Sequence, residues 1–212
     1  TPLTVDVAPI APHQTAKVEF KVPDLKLGSA ACSASYVAAI DRMQVRTEQN
    51  LAVRVWNILG SFPRDFEKDY GPEAKLDLAA VYTDQVGTQR SWRPVLSAEN
   101  GYVDFLPCFQ PNNNVCAYAL LFVKSPKTQP VRLAVGSDDG VKAWLNRKVL
   151  IANDASRGAA PRQDEAAGEL KEGWNDVLLK ITQGDGGWGF YCELFGNDGK
   201  ELPGLVFSTS RE

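Results

Sequence analysis

Asp138 and Asp139 are the residues whose type and spacing point most clearly to chemistry. They stand side by side in Gly136-Ser137-Asp138-Asp139-Gly140, a polar turn between two apolar alternations. Adjacent carboxylates in a short turn repel each other unless solvent or a cation takes up their charge. One reading is ligation of a hard cation such as calcium, which takes about six to eight oxygens from carboxylates and carbonyls. The other is structural: one carboxylate caps the turn by accepting backbone N–H bonds and the other is solvated. Trp188 is the second candidate. With Gly186 and Gly187 before it and Gly189 after it, its indole either presents an open face to a ligand or packs as a lid on the core.

The elements that must position these residues read as strands. Val131, Leu133 and Val135 alternate with Arg132 and Ala134 ahead of the acidic turn, and Val141, Ala143 and Leu145 resume the inward set after it. With Lys148 to Ile151 this predicts a meander of three short strands. Ala117 to Val123 is the most apolar run and is expected as a central strand. Trp174 to Thr182 carries Val177, Leu179 and Ile181 inward, and Trp188 to Phe195 closes the unit with Phe190, Cys192 and Leu194 on one side. Leu51 to Pro63 opens it. Leu76 to Tyr82 is expected as one short helix or turn, and residues 153–169 as a long polar crossing. The count of strands and glycine-rich turns predicts an all-β fold, an antiparallel jelly-roll-like β-sandwich over residues 48–212. Residues 1–46 form an additional N-terminal strand segment, with one strand at Val18 to Val22 and another over Cys32 to Ile40, too little for a core of its own.

Composition narrows the classes. The chain has 212 residues, 44% hydrophobic and 23% charged, enough for a substantial core in one large or two small domains. A formal net charge of -3 without any sizeable basic cluster leaves nucleic-acid binding no electrostatic footprint. No run approaches the roughly 20 apolar residues of a membrane span, and TPLTVDV is not a signal-peptide pattern. Cys32, Cys108, Cys116 and Cys192 match no metal or haem spacing, and His13 is the only histidine. Cys108 and Cys116 flank a polar loop and either close a small disulfide or remain small buried thiols. A catalytic constellation is not visible: there is no second histidine, nucleophile elbow or phosphate loop. Carboxylate pairs such as Asp69 with Glu73, or Asp138 with Asp185, have only availability in their favour.

Several stretches carry a resemblance. VWNILGSFP, VGSDDGVKAWLNRKVL, NDASRG and LKEGWNDVLLKITQGDGGWGFYCEL resemble non-catalytic β-sandwich modules of large secreted bacterial proteins, many of them polysaccharide-degrading. More distantly, the paired aspartates are similar to those in the glycan-binding domain family of anthrax protective antigen and the yeast flocculins. In the lectin members, two consecutive aspartates joined by a cis peptide hold calcium, and the ion holds sugar hydroxyls. The resemblance spans about residues 48 to 195 and places Asp138 and Asp139 on the paired aspartates. The lectins complete the metal shell with an asparagine and loop carbonyls from a later loop, which here implies calcium on Asp138 and Asp139 completed by backbone carbonyls and Asp154, Asn153 or Asp185. Together with the Trp188 platform, the expected metal residues are Asp138, Asp139 and Asp154 and the expected ligand residues Trp188, Asp185 and Asn153. Asn146-Arg147 departs from the Asn-Gly that family members often carry at the next turn. In the N-terminal segment, APHQTAKVEFKVPDLKLG loosely resembles the late strands of immunoglobulin-like domains in large glycosidases.

The expectation is therefore a non-catalytic carbohydrate-binding module of a larger secreted or surface protein, extracellular, periplasmic or at the cell surface. Its partners would be a polysaccharide or glycan and neighbouring domains of the same polypeptide. The alternative is a structural or protein-interaction spacer. A binding module should show an uncovered aromatic beside the Asp138 turn, and a spacer an apolar patch at a domain contact.

Overall fold

A computed structural model describes residues 30–40, 43–83, 87–98 and 100–211 of the 212-residue chain, with side chains from Arg54 onward. The expected strand at Val18 to Val22, His13, the immunoglobulin-like stretch and the side chain of Cys32 lie outside the described residues. Strand β1 (Ala30–Ile40) pairs antiparallel with β2 (Met43–Val53), Ala30 opposite Val53 and Ile40 opposite Met43, as a separate two-stranded sheet. β2 runs straight through residues 46–48, where the sequence suggested a boundary. β3 begins at Val55, two residues after β2 ends.

From Val55 on, the described chain is an antiparallel β-sandwich. Its strands are β3 (Val55–Pro63), β4 (Tyr82–Thr83), β5 (Gln89–Arg90), β6 (Arg93–Leu96), β7 (Val103–Asp104), β8 (Val115–Ser125) and β9 (Gln129–Asp138). They continue with β10 (Val141–Leu145), β11 (Lys148–Asn153), β12 (Asp164–Leu170), β13 (Gly173–Gln183), β14 (Gly189–Phe195) and β15 (Val206–Ser208). The larger sheet runs β11-β10-β13-β8-β3-β6, with β15 also pairing β8. The smaller runs β12-β9-β14-β7, and β4 and β5 form a small hairpin.

The period-two alternation of the sequence becomes the interior directly. Val115, Ala117, Ala119, Leu121 and Val123 of β8 and Val177, Leu179 and Ile181 of β13 face Val131, Leu133 and Val135 of β9 and Phe190, Cys192 and Leu194 of β14. The intervening residues of β8 are apolar as well because a second layer covers the outer face of the larger sheet. Cys116, Tyr118, Leu120 and Phe122 cluster there with Leu59, Phe62, Trp144 and Leu178, beneath Tyr70, Leu76, Tyr82 and Trp92. A strand buried on both faces reads as a continuous apolar run, as β8 does.

In that covering layer the short helix or turn expected over Leu76 to Tyr82 takes the turn form. The segment is a series of turns held by carboxylates. Asp69 Oδ1 accepts the N–H groups of Gly71 and Glu73, at 2.6 and 3.1 Å, and Asp77 Oδ1 accepts that of Ala79 at 3.1 Å. Aspartate competing for its own neighbours' N–H groups favours turn over helix. Underneath, Lys180 Nζ is wholly buried and donates to Phe66 O (3.1 Å), Lys68 O (2.6 Å) and Glu73 Oε1 (3.0 Å). Tyr118 donates its hydroxyl to the same Glu73 oxygen at 2.8 Å. Burial, followed by the Glu73 charge, pushes the Tyr118 phenol well above its ordinary range.

Two further expectations are corrected. The meander over residues 131–151 is not a single sheet: β9 belongs to the smaller sheet and β10 to the larger, so the Asp138-Asp139 turn carries the chain across the sandwich. The polar crossing after Asn153 contains β12, which pairs with β9 at the sheet edge. Cys108, Cys116 and Cys192 are free thiols. Cys108 packs toward the sandwich interior and Cys116 toward the outer cluster, so the two sides of β8 separate them.

Candidate functional site

The crossover from β9 to β10 brings three loops to one end of the sandwich. The Asp138–Asp139 peptide is cis, the arrangement described for the paired aspartates of the lectins. Asp139 N donates to Thr182 O at 3.2 Å and Thr182 N to Gly140 O at 2.9 Å, which locks the turn to β13. Ser137 N donates to Gln163 Oε1 at 3.0 Å, and the Ser137 hydroxyl donates to Asp139 O at 2.7 Å. The loop over residues 154–163 closes against the strand so tightly that a Cβ on Gly136 would lie 1.6 Å from Ala160 O. Only glycine fits that position.

The two aspartates have different environments. Asp139 is buried at 7% exposure, and each of its oxygens accepts a backbone N–H. Oδ1 takes that of Arg157 at 2.9 Å and Oδ2 that of Gly184 at 2.8 Å, so one carboxylate ties the loop after β11 to the loop after β13. Asp138 is half-buried between Gly158 and Gly187, and a Cβ on Gly187 would stand 2.6 Å from its Oδ2. Burial, then the neighbouring Asp139 charge, raises its pKa above the ordinary carboxylate value, against a backbone N–H from Ala159 that lowers it.

Asn153 and Asp154 flank the turn, where a Cβ on Gly140 would meet Asp154 Oδ1 at 3.0 Å and Asn153 O at 3.1 Å, and their side chains have further partners. Asn153 donates its amide to Asp164 Oδ1 at 2.8 Å. Asp154 is exposed and paired with Arg64 at 2.9 Å, and Asp185 is exposed on its loop. The positive charge nearest the turn belongs to the protein: Arg157 donates through Nη2 to Ser137 Oγ (3.0 Å) and to Asp164 Oδ2. Among the described residues, no group of three or more acidic, histidine or cysteine side chains converges on a point. Asp139 is thus engaged by backbone N–H groups, the Asn153 and Asp154 side chains have partners within the protein, and a guanidinium stands beside the turn.

Of the two readings of Trp188, the structure has the lid on the core and not the open ligand face. The indole is fully buried, with ring centroids 5.2 Å from Phe105 and 5.4 Å from Phe109, so it presents no open face. The neighbouring glycines admit the segment over residues 102–109 against it: Phe105 N donates to Trp188 O at 2.8 Å. The aromatic surface beside Asp138 comes instead from Tyr102 and Tyr191, both half-buried, with ring centroids 5.0 Å apart and planes tilted by 46°. Tyr191 stands opposite Gly136 across the β14–β9 pairing. Burial, then the charges of Asp104 and Asp138, pushes the Tyr102 phenol up to about 12. Neither tyrosine stood out in the sequence, because Tyr102 lies in a weakly periodic stretch and Tyr191 on the polar side of its strand.

Asp69 and Glu73, offered by the sequence as a carboxylate pair, both have structural partners. Asp69 is occupied in capping its turn, and Glu73 lies in the Lys180–Tyr118 network on the far face of the larger sheet.

No protein-family model and no curated protein matches this sequence. Among solved structures, the chain is similar to the PA14 domain of the MpAFP antifreeze protein, at 16% identity and a TM-score of 0.37, covering 45% of this chain and 54% of that one. It is similar to a family 35 carbohydrate-binding module from Clostridium thermocellum, at 16% identity and a TM-score of 0.32, covering 78% and 99%. A beta-glucosidase from Kluyveromyces marxianus in complex with glucose gives 13% identity and a TM-score of 0.41, covering 69% of this chain and 16% of the enzyme. The match thus spans about half of the PA14 domain structure and a small part of the glucosidase. The assignment as an antiparallel β-sandwich stands on the strand pairing itself.

Proposed function

We propose that this chain is a non-catalytic carbohydrate-binding module of a larger protein, working outside the cytosol or at the cell surface alongside neighbouring domains. The observation that carries the reading is the division of labour at the acidic turn. Asp139 is consumed by two backbone N–H groups, whereas Asp138 remains a half-buried carboxylate at a loop-built sandwich end, beside the Tyr102–Tyr191 pair. A carboxylate accepts hydrogen bonds from two adjacent hydroxyls, and the face of a tyrosine ring takes up the C–H side of a sugar ring. In this reading the glycan meets Asp138 directly, and the carboxylate–guanidinium arrangement around Arg157 holds the loops without a metal. Each contact is shallow, so retention on a polymer gains from repeated engagement along the chain.

No helix among the described residues is long and apolar enough to cross a membrane. The free Cys108 and Cys116 lend no support to an oxidising compartment, so the proposed location follows from the ligand class alone. A glycan-array screen of the whole chain, with and without chelator, tests the reading. Retention of one or more glycans, unchanged by chelator, is expected. A blank array would transfer the turn to a purely structural role and favour the spacer alternative. A signal abolished by chelator would contradict the metal-free arrangement.

A further inference from the structure

Beside the acidic turn lies a cavity of about 480 Å³ whose walls come from the end of β3, the β5 hairpin and the loop over residues 110–114. Its volume falls within the range of small-molecule sites, roughly 300–1,000 Å³. The loop is held at three points by backbone carbonyls and amides. Ser61 donates its hydroxyl to Pro111 O at 2.8 Å, Arg64 N donates to Asn114 O at 2.9 Å, and Asn114 N donates to Gly184 O at 2.7 Å. Gly184 is the residue whose own N–H binds Asp139, so the cavity and the acidic turn share one loop.

What the rim presents decides the ligand. Gln110, Asn113 and Asn114 line the cavity with exposed side-chain amides that make no hydrogen bond to any described residue. An amide offers donors and an acceptor in one plane, which matches the dual donor–acceptor character of a sugar hydroxyl. Pro63 and Pro111 line it with apolar rings, and below them Phe62 is fixed by stacking on Tyr70, centroids 4.7 Å apart and planes within 15°. Among the described residues that line the cavity, none is a carboxylate and Arg90 is the one with a charged side chain. Polar groups anchored on a stiff scaffold lose little freedom on binding.

We infer that this cavity is a second saccharide subsite, which takes the end of a neutral oligosaccharide on the amides of Gln110, Asn113 and Asn114. The inference rests on the carbohydrate-binding reading and names where a chain extending from the Asp138 turn is held. The test is amide-shift mapping of the whole ¹⁵N-labelled chain with cellotriose, xylotriose and mannotriose, repeated on the double variant Gln110→Ala, Asn113→Ala. Both side chains are exposed and without described partners, so the variant should keep its wild-type melting temperature. Shifts at the amides of residues 61, 62, 110 and 112–114 are expected with at least one probe, together with at least fivefold weaker binding in the variant. Shifts confined to residues 138, 158 and 187, with the variant binding as wild type, would overturn the subsite and leave the carbohydrate reading standing. No shift with any probe, alongside a blank glycan array, would overturn both.

Discussion

Replacing Asp139 by Asn separates a structural carboxylate from a metal ligand. In the structure Asp139 joins two loops through N–H groups of Arg157 and Gly184 at 2.9 and 2.8 Å, and is 7% exposed. Asparagine keeps one carbonyl oxygen but turns an NH2 group toward the other N–H, so one bond is lost and the survivor no longer has a charged acceptor. Hydrogen bonds to charged groups contribute about 1.5–3 kcal/mol each, and a stranded buried donor costs about 1–3 kcal/mol. Both donors are only partly buried, which places the expected loss at about 2–3 kcal/mol. With a urea m-value near 2 kcal/mol/M, the unfolding midpoint should fall by about 1–1.5 M. The assay is urea unfolding followed by tryptophan fluorescence, because Trp56 and Trp188 are wholly buried. It is run in EDTA, where a metal ligand has nothing to lose. An unchanged midpoint in EDTA, with destabilisation only when calcium is added to both proteins, would refute the structural role assigned here.

Three other outcomes follow from the same geometry. Lys180→Met leaves Glu73 and the Phe66 and Lys68 carbonyls without their buried partner, and should cost about 3–5 kcal/mol by chemical denaturation; a loss below about 1 kcal/mol would show the network to be dispensable. In native alkylation at pH 8, half-buried Cys108 should react while Cys116 and Cys192, buried and with thiols pushed up to about 11 and about 12, should react only after unfolding; a linked 108–116 peptide without reductant would contradict the free thiols. Asp138→Asn should raise stability at neutral pH. A carboxyl with a raised folded pKa binds its proton more tightly when folded, so wild-type stability declines as pH rises from the ordinary carboxylate value through the raised one. The advantage of the variant should therefore vanish below the ordinary carboxylate value, and a thermal-melt series over pH 3 to 7 showing a constant difference would contradict it.

The sequence made most of the sandwich legible wherever a strand has one buried face or two. Val177-Leu179-Ile181 and Phe190-Cys192-Leu194 lie inward as their spacing requires, and the unbroken apolar run of β8 is explained by its two covered faces. Period alone could not say that β9 and β10 belong to different sheets, since alternation resumes after the turn whether the chain reverses or crosses over. β12 was hidden because DEAAGEL is built of small and acidic residues at an edge, with Leu170 its one large apolar side chain. At the site, the acidic turn stood out by composition. The partners that divide Asp138 from Asp139 did not, because Arg157 and Gly184 meet Asp139 through backbone N–H groups, which any residue type except proline supplies. Trp188 misled for a related reason: glycines that leave an indole open also let Phe105 and Phe109 approach it.

The most direct test of the central claim is titration calorimetry in EDTA of the strongest array glycan against the wild type and Asp138→Asn. The variant is expected to be at least as stable as the wild type at neutral pH, so weaker binding cannot be laid to unfolding. The account predicts wild-type binding without calcium and a loss of at least tenfold in the variant. Equal affinity in the two proteins, or wild-type binding that appears only when calcium is restored, would contradict it.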